Sequence, residues 1–182
     1  MKRALVIAIV SCATRARAED VRVDVEPAAY LLSGYSIHLA STVPRAPRVT
    51  VGGTLYGFDV PRMLVELGDN RGDDWNVRLR VGYGVFADAF LEDRRDGWLV
   101  GTQLGFQQYR ATGPGPDGGD AIFTNVMVLV RAGYEWHPAA SSGAYLMPWI
   151  GAAYTHTISG DAGAYRVFPV LPYAACDLGW RF

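Results

Sequence analysis

Long apolar runs, cysteine and clustered metal ligands are all scarce in this chain of 182 residues, and each scarcity removes a class of protein. Beyond the first ten residues there is no run of about 18 apolar residues, which excludes a helical membrane protein; a spanning β-strand needs only about 9 to 11 residues. Cysteine occurs at Cys12 and Cys176 alone. Loss of an amino-terminal leader would leave only Cys176, so neither an internal disulfide nor a cysteine zinc cluster can form, and Cys176 reads as a small apolar residue. His38, His137 and His156 stand far apart with no convergent spacing, so no metal is called for. The glycines of residues 113–119 lack the strand and helix that frame a phosphate-binding loop, and no cofactor is called for either. Basic residues number 17 against 18 acidic ones. Without a basic face, a nucleic-acid partner is not expected.

What is present begins with Met1-Lys-Arg and the apolar stretch 4–10, a targeting segment rather than part of the fold. Ala16-Arg17-Ala18 offers a small-x-small cleavage site before Glu19, giving a signal peptide over 1–18 and one domain over 19–182. Ile9-Val10-Ser11-Cys12 offers the competing reading, a weak resemblance to a lipobox in which Cys12 is lipidated. Both routes export the chain. Cleavage after Ala18 removes Lys2, Arg3, Arg15 and Arg17, so basic residues fall from 17 to 13 against 18 acidic ones, a formal charge of −5.

The remainder alternates. Period-two segments fall at about 35–42, 48–60, 75–90, 97–110, 121–137, 144–158 and 169–182. A closed barrel of the bacterial type takes an even number of strands, so an eighth is expected over Val21-Arg-Val-Asp-Val25 towards Tyr30. A single bent strand over 21–42 is the competing reading. Connections 59–74, 111–120 and 159–168 are long; 43–47, 92–96 and 138–143 are short. Within the first of these, Pro61 and Gly68 frame a short helix over 60–67.

Charge decides which face is inside, because a charge facing lipid costs about 2 to 4 kcal/mol at mid-bilayer. In 75–90 this places Arg78, Arg80 and Asp88 in the interior and Trp75, Val77 and Leu79 outside. The same test turns Gln103, Gln107, Tyr109, Asn125, Arg131 and Glu135 inward, together with Asp177 and Arg181. Asp88, Arg131, Glu135, Asp177 and Arg181 fall in one half of the interior, with Arg131 and Glu135 expected to be coupled, and Arg78 and Arg80 fall higher, level with Gln107 and Tyr109. The result expected is a lumen plugged by ion pairs, since an unpaired buried charge costs roughly 3 to 5 kcal/mol. Trp75, Trp98, Trp136, Trp180 and Phe182 fall outward near strand ends, where aromatic girdles sit. Trp149 alone points inward.

The last stretch, Val170-Leu-Pro-Tyr-Ala-Ala-Cys-Asp-Leu-Gly-Trp-Arg-Phe182, is amphipathic and ends on an aromatic residue. Behind a cleavable leader, it resembles the C-terminal assembly signal of bacterial outer-membrane barrels, and the strand rhythm is similar to that of small OmpA-like and OmpX-like barrels. The resemblance implies an all-β, closed antiparallel transmembrane barrel in the outer membrane. Its implied partners are outer-membrane lipids and the assembly machinery, and its outer loops are free for an extracellular ligand. A structural or surface-interaction role follows. The alternatives are a lipid-modifying enzyme, a small pore, or a soluble exported barrel. For the enzyme, His156 and Thr124 would be the outward pair, yet the chain has no His-x-Ser of the deacylase kind, and no catalytic residue is assigned.

Overall fold

The computed structural model describes residues 21–67, 70–71, 74–92, 97–113, 119–139 and 142–182. The leader with its two processing readings, Gly68, and the tip of the 111–120 connection lie outside the described residues. Strands β1 (Val21–Val25), β2 (Tyr35–Val43), β3 (Ala46–Asp59), β4 (Asn76–Phe90), β5 (Gly97–Thr112), β6 (Asp120–Glu135), β7 (Ala144–Gly160) and β8 (Val170–Arg181) form one closed antiparallel ring in chain order. Closure leaves each strand a neighbour on both sides and removes the exposed edges of an open sheet. The seam is β1 on β8, from Arg22↔Arg181 to Val25↔Leu178, extended by the Phe182 N–H donating to the Val21 carbonyl at 2.8 Å. Both chain ends of the barrel therefore lie at one rim, here the terminal rim; the opposite rim is the distal one.

The eighth strand is separate, and it stops at Val25. Pro27 has no N–H for a ladder but suits a first helical turn, and α1 (Pro27–Leu31) replaces β1 in the distal half, lying against β2, β3 and β8. The segment expected to continue as strand towards Tyr30 is thus a helix. The chain leaves α1 through Ser33, at a φ of 56°, and the Gly34 N–H donates to the Ala29 carbonyl at 2.8 Å. Glycine is needed at 34 because a Cβ there would lie 1.9 Å from the Gly57 carbonyl oxygen on β3. The helix expected over 60–67 is the single turn α2 (Arg62–Val65), with Pro61 immediately before it.

Large apolar side chains face outward around the ring, among them Leu39, Val51, Val85, Val100, Leu104, Val130 and Ile150. So continuous an apolar surface is far more than a monomer in water tolerates. Trp98, Trp136, Trp180 and Phe182 are all exposed at the terminal rim.

Three ladders slip near the distal rim, between Tyr56 and Phe58, between Leu79 and Val81, and between Thr124 and Asn125. One extra residue inverts every face beyond it. On β4, Phe86 and Asp88 are inward while Tyr83 and Val85 are outward; past the slip at Arg80, Val77 and Leu79 are buried and Arg78 and Arg80 are exposed. The interior consequently divides. Its distal half is mainly apolar, with Tyr56, Val65, Val77, Leu79, Tyr109 and Phe123 packed together under Tyr165 and Val167, and Gln107 bonding the Tyr56 and Tyr109 hydroxyls. Its terminal half carries the buried charges beside Phe90, Leu99, Tyr145 and Met147.

Candidate functional site

The charged interior is assembled in rows across the ladder. Asp88 on β4, Gly101 on β5 and Arg131 on β6 are register partners in one row. Glycine in the middle leaves the passage open, since a Cβ at 101 would lie 2.1 Å from Asp88 Oδ1. Arg131 accordingly reaches Asp88 with three hydrogen bonds, from Nε at 3.1 Å and from Nη2 at 2.9 Å to each oxygen. The row Asp24, Gly179, Tyr145 repeats the device on β1, β8 and β7: a Cβ at 179 would lie 2.4 Å from both Asp24 Oδ1 and the Tyr145 hydroxyl oxygen.

Arg22 ties the rows together. Its guanidinium lies 2.5 Å from Asp88, 3.4 Å from Glu135 and 3.5 Å from Asp24. Glu135 also accepts from Arg181 at 2.5 Å and lies 2.9 Å from His137 Nε2. Arg131 stands over the rings of Phe86 at 5.2 Å and Trp149 at 5.4 Å, and Arg22 over Phe86 at 5.6 Å. Asp177 is fully buried, with His38 Nδ1 at 3.9 Å. Low dielectric strengthens each of these attractions and penalises any member left alone.

Four of the residues expected inside, Asp88, Arg131, Glu135 and Arg181, are joined into one network, and Asp177 is inward beside it. Arg131 bonds to Asp88 rather than to Glu135, because residues four apart on a strand are about 13 Å apart while a ladder row brings Asp88 within reach. Arg78 and Arg80 are corrected: the slip at Arg80 turns both to the outer face, where Arg78 Nη1 donates to Asp59 at 2.5 Å. Trp75 is corrected by the same inversion. It is half-buried and meets Tyr165 edge-on at 5.6 Å, as part of the distal apolar cluster rather than a girdle. Trp149 faces inward as expected, 8% exposed. His38 faces inward as expected, 7% exposed; Arg22 and Asp24 were not anticipated, although Val21-Arg-Val-Asp-Val25 carries the alternation that puts them on one face.

Two connections fold over the distal mouth. Asn70, 1% exposed, donates through Nδ2 to the Arg166 carbonyl at 2.8 Å and accepts the Arg166 N–H at 2.9 Å. This clasp joins the β3–β4 and β7–β8 connections across 96 residues of chain. Beneath it, a cavity of about 40 Å³ is lined by Phe58, Phe123, Leu171 and Tyr165, and another of about 50 Å³ lies deeper, against Gln103, Gln107 and Glu26. On the rim, Arg62 is held above its ordinary pKa by the Glu66 carboxylate it bonds and by Asp74, and burial pushes the Tyr165 phenol up.

No group of three metal-ligating side chains gathers among the described residues. His156 lies opposite Val126, and the slip beside it gives Thr124 the partner Ser159, so the histidine and hydroxyl are not opposed.

No family model matches the sequence, and no curated protein matches it. Among solved structures, the chain is similar to the crystal structure of Neisserial surface protein A, with a TM-score of 0.51 over 91% of this chain and 98% of that one, at 11% identity. The likeness at that identity is one of fold: an eight-stranded antiparallel barrel of the small outer-membrane architecture.

Proposed function

We propose that this protein is a small β-barrel of the bacterial outer membrane with a structural or surface-interaction role, its distal loops facing outward from the cell and its lumen filled by its own side chains. One observation carries the reading, the sorting of charge between the two sides of the wall. The outward belt is apolar between its rims, while Arg22, Asp24, Asp88, Arg131, Glu135 and Asp177 are buried within. A soluble barrel has no reason to expose that belt, whereas in a bilayer the reverse sorting would cost about 2 to 4 kcal/mol per misplaced Arg at mid-depth.

The terminal rim, with Trp98, Trp136, Trp180 and Phe182, is then the periplasmic interface. There β8 presents the segment read by the assembly machinery. The loops clasped by Asn70 are the surface available to an extracellular ligand. The test is fractionation of expressing cells. The protein should stay with outer membranes through a carbonate wash and migrate anomalously when unboiled; release by the wash would overturn the reading.

A further inference from the structure

Three guanidinium groups gather on the outer wall of the distal half. The slip in β4 turns Arg78 and Arg80 outward, and Arg110 on β5 stands directly opposite Arg78. Like charges opposed across a ladder repel. Here Arg78 is offset by Asp59 at 2.5 Å, and Arg110 by Asp120 through hydrogen bonds of 2.6 and 2.7 Å. Arg80 is exposed and forms no ion pair among the described residues. A bulge re-aims side chains at the cost of ladder hydrogen bonds, and this one delivers to the outer face a third cation, which shares the attraction of the Asp120 carboxylate with Arg110.

An apolar furrow leads to that cation. One ladder row runs Leu39, Gly53, Val85, Leu104, and the next row towards the distal rim runs Ile37, Leu55, Tyr83, Phe106. Gly53 is a gap in the first row, for a Cβ placed there meets nothing closer than 3.7 Å. Its neighbour Val85 is 62% exposed, and Tyr83 stacks on Phe106 at 5.7 Å to form one bank. On β4, the exposed Arg80 lies three residues beyond the exposed Tyr83 towards the distal rim, about 10 Å of strand. An alkyl chain lying in the furrow therefore runs towards the Arg80 end of its bank.

We propose that this furrow and the Arg80 patch are the seat of one lipid whose head group exposes an anionic phosphate. The seat rests on the outer-membrane reading above. Deeper in the bilayer an outward Arg is costly, but at head-group level a guanidinium fork matches two phosphate oxygens. The net charge supplies the choice of ligand: among the described residues the three cations face two carboxylates, Asp59 and Asp120, so the patch as a whole keeps one positive charge for the phosphate.

The test is native mass spectrometry of the full chain released from phosphatidylcholine bilayers that contain a minority of lipid A. The wild type should carry one lipid A. Arg80→Gln should retain roughly fivefold less, the effect of removing one basic residue near a membrane surface. Gly53→Leu, which fills the furrow from a position with room for the side chain, should also lose the lipid, whereas Arg62→Gln on the rim should not. Dephosphorylated lipid A should be retained alike by wild type and Arg80→Gln. Equal retention of lipid A by wild type, Arg80→Gln and Gly53→Leu would overturn the seat. Bilayer insertion is read in the same samples from the unboiled gel shift: failure of the wild type to insert would overturn the outer-membrane reading along with the seat, and insertion without selective retention would overturn the seat alone.

Discussion

Replacing Arg131 by Met removes the charge at the centre of the interior network while keeping most of the side chain's length. Arg131 gives three hydrogen bonds to Asp88 at 2.9 to 3.1 Å, and it stands over Phe86 and Trp149. Removing one partner of a buried pair costs about 3 to 5 kcal/mol, because the other is left charged and stranded. Arg22 keeps its own hold on Asp88 at 2.5 Å, which puts the expected loss near the lower figure, about 3 kcal/mol. The stranded carboxylate is the source of that loss. Adding Asp88→Asn should therefore return about 1 to 2 kcal/mol, a coupling within the range seen for contacting residues. Adding Glu135→Gln to Arg131→Met should return nothing, since Glu135 is held by Arg181, Arg22 and His137 instead. Urea unfolding of the refolded barrel in vesicles, followed by tryptophan emission and by gel mobility, measures the three variants against the wild type. An unchanged midpoint for Arg131→Met, or equal recovery with Glu135→Gln, would refute the reasoning.

Asn70→Ala removes both bonds of the clasp and leaves the Arg166 backbone groups unpaired, a local cost of about 1 to 3 kcal/mol; limited proteolysis should then cut the β3–β4 connection faster, with the barrel's unfolding midpoint little changed. A tag inserted at Gly115 should be labelled on intact cells and one at Ser142 should not, and the reverse pattern would invert the assigned orientation. Deleting Phe182 removes its N–H bond to Val21 across the β1–β8 seam and should lower outer-membrane yield, as measured by immunoblot of fractions; unchanged yield would reduce Phe182 to an ordinary girdle aromatic.

The ring and its parity were legible in the sequence because alternation of apolar and charged residues is a direct print of a wall with two solvents. Long strands such as β5 and β6 give enough repeats for that print to be read, and Gln103, Gln107, Arg131 and Glu135 fell on the correct side. The distal part of β4 did not, since one extra residue at Arg80 reverses every face between it and the distal rim and leaves the local pattern as regular as before. Arg78, Arg80 and Trp75 were misplaced together by that single residue. The helix α1 was obscured because five residues are too few for a helical period, although Pro27 marks the point where a ladder must end. Ion-pair partners were harder still. Distance along a strand suggested Arg131 with Glu135, whereas the ladder row through Gly101 decides for Asp88. The glycines were the overlooked signal: one on an inward face between two charged strands marks where side chains cross.

The central claim is a membrane-embedded barrel that passes no solute, and conductance tests it most directly. Its interior joins Arg22, Arg131 and Arg181 to Asp88 and Glu135 in the terminal half and is packed with Tyr109, Phe123 and Leu79 in the distal half. Eight strands enclose a space that side chains can fill, unlike the aqueous channel of a 16-stranded porin. Purified protein inserted as a monomer in planar bilayers should hold the baseline current at every applied voltage; reproducible open-channel steps would contradict the account and make a pore the leading function.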